Sequence, residues 1–313
     1  MIALALTLPM SDAFQNPVDL HGRLQVEGSR IIGKEKKAVS LAGMSFFWSQ
    51  WMPQFYNAGT VKWLKTDWRA SVVRAALAIG PGGYLEQPEA EAARVSAVVD
   101  AAIAEGLYVI IDWHDHDAHR HEAQATAFFE AMARKYGSHP NVIYELWNEP
   151  TRVSWKDDVK PYSERVIAAI RKIDPDNLIL VGSPHWSQDV HEPAADPIKD
   201  ANVAYTLHFY AGTHKQWLRD RADAAMEKGI ALFVSEWGTC DASGNGGFDP
   251  ASTKEWMAWI KRHQLSHCNW SVADKVETAS IVKPGASATG NWKESDLTES
   301  GVLVREIIRG WNE

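Results

Sequence analysis

The sequence predicts a (β/α)8 TIM barrel, and three observations carry that expectation. Eight short β-rich runs alternate with helical segments along 313 residues, a length that suits one such barrel of ~250 residues with its loops. No Gly-x-Gly-x-x-Gly or phosphate loop follows any of the runs, which counts against an open dinucleotide-binding sheet. Polar, chemistry-bearing residues stand at the C-terminal ends of the runs, where this barrel collects its sites.

Taken in order, residues 1–18 read as an N-terminal tail or signal-peptide remnant, with an apolar start that lacks the basic residues of a full signal. The domain then runs 19–313. Residues 19–32 read as a short hairpin, 24–27 and 30–32 about a Gly28-Ser29 turn. The first buried strand is 39–45, followed by the aromatic loop 46–51. A helical end over 61–67 feeds the second strand, 71–77, which holds Arg74 in an apolar run. Pro88 opens a helix to Glu105, with Gly106 as its C-cap. The third strand, 108–113, terminates at His114. An amphipathic helix over 122–136 leads to the fourth, 142–146, and Pro150 cannot continue that ladder. Helix 159–173, stopped by Asp174-Pro175, precedes the fifth strand, 178–182. The sixth is 203–210, the seventh 231–237 and the eighth 267–273, with helices over 215–228 and 253–264 between them. A last helix, 297–309, closes the chain.

Composition bounds the partners. The formal net charge of −8 gives a phosphate-binding surface no support, so nucleic acid is excluded. No stretch reaches the ~18 apolar residues of a membrane span. Fifteen tryptophans are far more than a chain of this length usually carries, and a flat ring at a strand end can stack on a sugar face. Cys240 should lie beyond its strand end and Cys268 within its strand, so separate free thiols are expected.

The chemistry centres on Asn141-Val-Ile-Tyr-Glu-Leu-Trp-Asn-Glu-Pro150. Strand alternation puts Glu145, Trp147 and Glu149 on one side, with Glu149 at the mouth. A second β-rich run, 231–238, also ends in a glutamate, Glu236. Two carboxylates at the ends of separate strands are what acid-assisted displacement at a sugar carbon requires. Around them, Arg74, His114, Asn148, His208, Tyr210 and Trp270 occupy further strand ends. Arg74 and Tyr210 are placed to hold Glu236 ionised, while burial and a negative neighbour favour a protonated Glu149. Arg74 has a second reading as a structural ion-pair partner of Glu145 or Asp112, and Glu145 itself reads as a buried structural carboxylate. The run His114-Asp-His-Asp-Ala-His-Arg-His121 invites a metal reading, but its spacing matches no tight ligand pattern, so it reads as a solvated polar loop. Trp113 and Trp147 read equally as core and as ligand platform.

With Leu41-Ala-Gly-Met-Ser45, Val73-Arg-Ala-Ala76, Asp112-Trp-His114, Asn148-Glu-Pro150, His208-Phe-Tyr210, Ser235-Glu-Trp-Gly238 and Asn269-Trp270 with Asp274-Lys275 in view, the chain resembles glycoside hydrolase family 5 over about residues 19–311. Its nearest likeness there is the bacterial endo-β-1,4-glucanase branch. The resemblance implies Glu149 as acid/base and Glu236 as nucleophile, with retention of configuration. It implies Asn148 on the sugar 2-hydroxyl, Arg74, His114, His208 and Tyr210 as the supporting shell, and Trp270 as the platform under the reacting sugar. Trp51, Tyr84, Trp186, Lys275 and Glu277 would line the glucan cleft. One departure stands out: where the branch has a histidine shortly after Gly-Met-Ser, this chain reads Phe46-Phe47.

The reading that follows is a retaining endo-β-1,4-glucanase acting on β-1,4-glucan and cello-oligosaccharides. It is expected to need no metal or other cofactor, and to be a secreted monomer, extracellular or periplasmic. The alternatives are another β-glycanase of the same fold (a mannanase, xylanase or mixed-linkage glucanase), a non-catalytic carbohydrate-binding domain, or a metal hydrolase built on the histidine-rich loop. A binding module would have no need of both glutamates.

Overall fold

The computed structural model describes residues 15–311, so most of the expected tail lies outside the described residues. Its end does not: α1 (Pro17–His21) is already helical, and the hairpin is shorter than expected, with β1 (Gln25–Glu27) antiparallel to β2 (Arg30–Ile32). The barrel strands follow as β3 (Ala42–Phe46), β4 (Val72–Ala78), β5 (Tyr108–His114), β6 (Val142–Glu145), β7 (Ile179–Val181), β8 (Val203–Tyr210), β9 (Leu232–Gly238) and β10 (His267–Val272). They pair in parallel and close on themselves, because β10 returns to β3 with His267 opposite Ala42. The predicted eight-stranded barrel is therefore the observed one.

The helices are α2 (Ala58–Thr66), α3 (Pro88–Glu105), α4 (Glu122–Tyr136), α5 (Lys160–Arg171), the single turns α6 (Pro184–Ser187) and α7 (His191–Ala195), then α8 (Gln216–Glu227), α9 (Pro250–His263) and α10 (Glu299–Arg309). The bounds of α3 and α4 match the sequence reading. Pro88 begins α3 and Gly106 ends it with φ 70°, a left-handed value that glycine adopts without strain. The two turns after β7 had no periodic pattern to announce them.

Strand alternation sorts the core into two layers. On β5, Val109, Ile111 and Trp113 face the helices, while Tyr108 and Ile110 turn into the barrel. The lower barrel is filled by Val72, Ile143, Leu180, Ala204, Phe233 and Cys268, and Leu24 and Ile31 of the hairpin pack into the same cluster as its floor. Cys240 and Cys268 are both buried and free, as expected. At the outside, Asp67 accepts from Arg305 Nε at 2.7 Å and from Arg309 Nη2 at 2.6 Å, tying α10 to the chain between α2 and β4. The upper third of the interior is polar, and the site lies there.

Candidate active site

Arg74 is the centre of the polar layer. On β4 it points inward above Val72, is fully buried, and its planar fork reaches several partners at once. Nε donates to Glu145 Oε2 at 2.6 Å, Nη1 to Glu236 Oε2 at 2.9 Å and Nη2 to Asn148 Oδ1 at 2.6 Å. Asp112 Oδ2 lies 3.0 Å from Nη2. Both readings of Arg74 therefore hold: it braces Glu145 and Asp112 and also holds Glu236. Asp112 in turn takes His114 Nδ1 at 2.6 Å, and burial pushes the His114 imidazole well below its ordinary value.

Glu236 reaches this layer because β9 is irregular. Thr206 pairs with Phe233 but His208 pairs with Glu236, and on the other edge His267 pairs with Val234 but Asn269 with Trp237. Both registers slip by one residue at the same place, which is a β-bulge. The extra residue lets Ser235 and Glu236, neighbours that a regular strand would send to opposite faces, both face the barrel. Tyr210 donates its hydroxyl to Glu236 Oε1 at 2.8 Å. It lies opposite Gly238, where any Cβ would run into the Tyr210 ring, so this glycine is what the close approach requires.

Glu149 is placed by a break in the alternation. β6 ends at Glu145, so Trp147 does not share its side. Trp147 is fully buried against Tyr162 and His119 and is a core residue, as is Trp113. Asn148 takes the inward position, and Glu149 stands beyond it with two histidines on its carboxyl. His208 Nδ1 lies 3.0 Å from Oε1, and His116 Nε2 lies 3.3 Å from Oε2.

The protonation of this group can be deduced. The Ser235 hydroxyl donates to Glu145 Oε1 at 2.7 Å, so it can only accept from His208 Nε2, 2.9 Å away. With Nε2 carrying a proton, the contact between His208 Nδ1 and Glu149 is a hydrogen bond only if one more proton lies between them. Burial would push the Glu149 carboxyl up, but the hydrogen bonds from His116 and His208 outweigh it and bring it down to about 2. Burial likewise opposes charge on His208, and the bonds to Glu145 and Glu149 outweigh it, raising the imidazole to about 9. The expectation of a neutral Glu149 is thus corrected for the free cleft: the proton is present, but it rests on His208. Burial and the charge of Glu149 push Glu236 up from its ordinary value, against the pull of His208, Arg74 and Tyr210.

A cavity of about 600 Å³ opens above these groups. Of the predicted residues it brings together Glu149, Glu236, His114, His208, Tyr210, Trp186 and Trp270, with Arg74 and Asn148 buried beneath. Trp270 stacks parallel to His114 at 5.0 Å and meets Phe47 at 5.2 Å. Lys275 and Glu277 form an ion pair at 2.6 Å in a neighbouring groove, and Lys275 also sits over Phe47 at 5.5 Å. Trp51 is an exposed rim residue packed on Trp48 at 5.3 Å. Tyr84 does not line the cavity: its ring packs on Trp113 and Phe128. Sequence reasoning missed Trp48, His116 and His214, all of which line the cavity.

The histidine-rich loop spreads out rather than converging. His114 goes to Asp112, His116 to Glu149, His119 onto Trp147 and His121 to Asp115. Oxygens of Glu149 and Glu236 and a ring nitrogen of His208 do converge, within 4.8 Å of one another.

Comparison with known proteins agrees with this architecture. A model of the cellulase family (glycosyl hydrolase family 5) matches residues 32–276. Endoglucanase Z of Dickeya dadantii is 51% identical over 92% of the chain, which spans 66% of that relative. A solved structure from Cytophaga hutchinsonii is 53% identical with a TM-score of 0.94, covering 95% of this chain and 98% of its own. A variant of the catalytic domain of Thermobifida fusca endoglucanase Cel5A, solved with cellotetraose, is 32% identical with a TM-score of 0.91, covering 95% of this chain and all 100% of its own. Match length, identity and barrel geometry lead to one conclusion: the chain belongs to the cellulase family, glycosyl hydrolase family 5.

Proposed function

We propose that the chain is a retaining endo-β-1,4-glucanase in which Glu236 is the nucleophile and Glu149 the acid/base. The observation that carries the reading is the carboxyl pair, with oxygens within 4.8 Å. Retaining glycosidases hold their carboxyls ~5–5.5 Å apart, whereas inverting enzymes leave ~6.5–9.5 Å for a water. The relatives are named endoglucanases, and the Thermobifida fusca domain was solved with cellotetraose; both favour a β-1,4-glucan as substrate. Such a polymer cannot enter a cell, which favours a secreted enzyme.

In the first step a Glu236 oxygen attacks the anomeric carbon while the leaving glucosyl oxygen takes a proton from Glu149. That proton reaches Glu149 along the 3.0 Å hydrogen bond from His208, and a sugar that displaces water favours the shift, because it turns an ion pair into a neutral one. In the second step Glu149 takes a proton from water, the hydroxide replaces Glu236 at the anomeric carbon, and the proton returns to the Glu149–His208 pair. Asn148 has Oδ1 committed to Arg74, which leaves Nδ2 for the sugar 2-hydroxyl.

The test uses the leaving group. Glu149→Ala is expected to stop cleavage of cellulosic polymer, while an aryl cellobioside with an acidic phenol still gives a fast burst and then slow turnover. Added azide should restore turnover and release a β-glycosyl azide. An α-configured azide would mean inversion, and equal loss on both substrates without rescue would remove Glu149 from the role. Run beside mannan and xylan, the same assay separates this activity from those of other β-glycanases.

The pH profile follows from the same groups. On a glucan, kcat/KM should fall on the alkaline side as pH rises through about 9, where His208 in the free enzyme releases the shared proton. The acid side should fall at a pH above the ordinary 4.5 of a glutamate, because Glu236 is raised. An aryl cellobioside needs no acid in glycosylation, so its kcat/KM should lack the alkaline fall. An identical alkaline limb on both substrates would overturn the assignment of the proton.

A further inference from the structure

Three of the large apolar side chains that stand exposed are tryptophans: Trp51, Trp186 and Trp217. Trp51 packs on Trp48 at the β3 side of the mouth. Trp186 lines the cavity from the far side, since β3 and β7 are opposite members of the eight-stranded ring. Its backbone is left-handed, with φ 57° between His185 at 53° and Ser187 at 55°. Trp186 N donates to Pro150 O at 2.9 Å and Ser187 Oγ to Asn148 O at 3.0 Å, so this turn is fixed directly against the Glu149 segment.

Trp217 has no place in the mechanism and none in the core clusters. It sits in the first turn of α8, beside the barrel mouth, and is 47% exposed. Two contacts orient its ring. His214, buried and itself lining the cavity, meets the ring at 5.9 Å and 69°. Arg221, one helical turn on, lies over the ring 5.1 Å from its centre, a cation–π contact that occupies one face. Arg221 also pairs with Asp189, and Asp189 pairs with His185, the neighbour of Trp186. A single carboxylate therefore ties the wall carrying Trp186 to the helix carrying Trp217.

From this we infer that Trp217 is a second aromatic platform on the leaving-chain side of the cleft, taking glucosyl units of a β-1,4-glucan beyond those at Trp186. The occupant follows from continuity: with Trp270 on the β10 side of the cavity as the platform that the family resemblance implies for the reacting sugar, the leaving chain would run across the Glu149 segment toward β7 and β8. A ring backed by a guanidinium and 47% exposed offers flat apolar surface of the kind that the axial C–H face of a glucosyl unit covers. An exposed Trp with only a structural purpose would shield Arg221 and need no chain. The inference rests on the β-glucanase reading and deepens it.

The test compares wild type with Trp217→Ala and Trp217→Phe on cellohexaose and on an aryl cellobioside, whose leaving side carries no sugar. In Trp217→Ala, kcat/KM on cellohexaose should fall roughly five- to tenfold, the worth of one aromatic contact, against less than about twofold on the aryl substrate. Trp217→Phe should recover most of the loss, and the cleavage point on end-labelled cellohexaose should move in the Ala variant alone. Unchanged cellohexaose kinetics, or equal loss on both substrates, would overturn the inference while leaving the glucanase reading in place. A wild-type protein that cleaves neither substrate would sink the glucanase reading and this inference with it.

Discussion

Glu236→Gln is expected to lower turnover on a soluble cellulose derivative by ~10⁴-fold or more, as loss of a covalent nucleophile does. The fold should survive, because the amide keeps the shape of the carboxylate and a carbonyl oxygen for Arg74 Nη1, now 2.9 Å from Oε2. Cellotetraose binding, measured by calorimetry, should stay within a few-fold of wild type. In the wild type a mechanism-based fluoro-sugar should label Glu236 alone, and in the variant nothing. Turnover of Glu236→Gln within about tenfold of wild type, once contamination is excluded by an active-site label, would sink the nucleophile assignment.

Arg74→Leu is expected to have the largest effect on stability. The guanidinium is the shared counter-charge of Asp112, Glu145 and Glu236, and all four groups are essentially removed from water. Leucine would leave those carboxyls and Asn148 Oδ1 facing one another without their shared cation, a loss of about 3–5 kcal/mol for a broken buried ion pair. Arg74→Lys keeps the charge but not the planar fork, so it should fall between the two and lose activity more than stability. Urea unfolding of the three proteins checks this. A Leu variant as stable as wild type would mean that the buried carboxyls simply take up protons at no cost.

The barrel was legible in the sequence because each strand is a short apolar run ending in a polar residue, and the period of the helices differs from that of the strands. Proline and glycine at the ends of α3 fixed its bounds for a local steric reason. The convergence of Glu149, Glu236 and the polar residues around them was legible because polar residues at strand ends are expensive to bury without a purpose. What was not legible depends on departures from regular geometry. Alternation misplaced Trp147 because β6 ends at Glu145, one residue before the end of its apolar run, and regular alternation does not extend beyond it. It could not show that Ser235 and Glu236 share a face, since the β9 bulge is visible only in the pairing of two neighbouring strands.

Protonation was the other failure. From the chain alone, burial and a negative neighbour are the terms that can be assigned to Glu149, and both point to a neutral acid. The opposing term comes from His116 and His208, one on a loop after β5 and the other on β8, which meet Glu149 only in three dimensions. His116 lay in a run that read as solvated, and its spacing to His114 carried no signal of a contact with a glutamate. Trp48 was hidden in the aromatic loop for a similar reason: its edge-on contact with His114, at 4.2 Å, is set by the barrel and not by local sequence.

The closure of the ring through β10 and β3 has a further consequence for how the protein is born. The first barrel strand to leave the ribosome finds β4 soon, but its other edge must wait for the last barrel strand, whose arrival needs the whole run from Ala42 to His267. Until then β3 carries an open row of peptide groups, a template for pairing with other chains. Closure is also the longest-range contact in the sheet, so it is the step most slowed by chain entropy. Glu236 sits on β9, whose outer neighbour is β10. A nascent chain can therefore assemble the Glu149 side early, while the strand carrying its partner gains its second neighbour only when the last barrel strand has emerged.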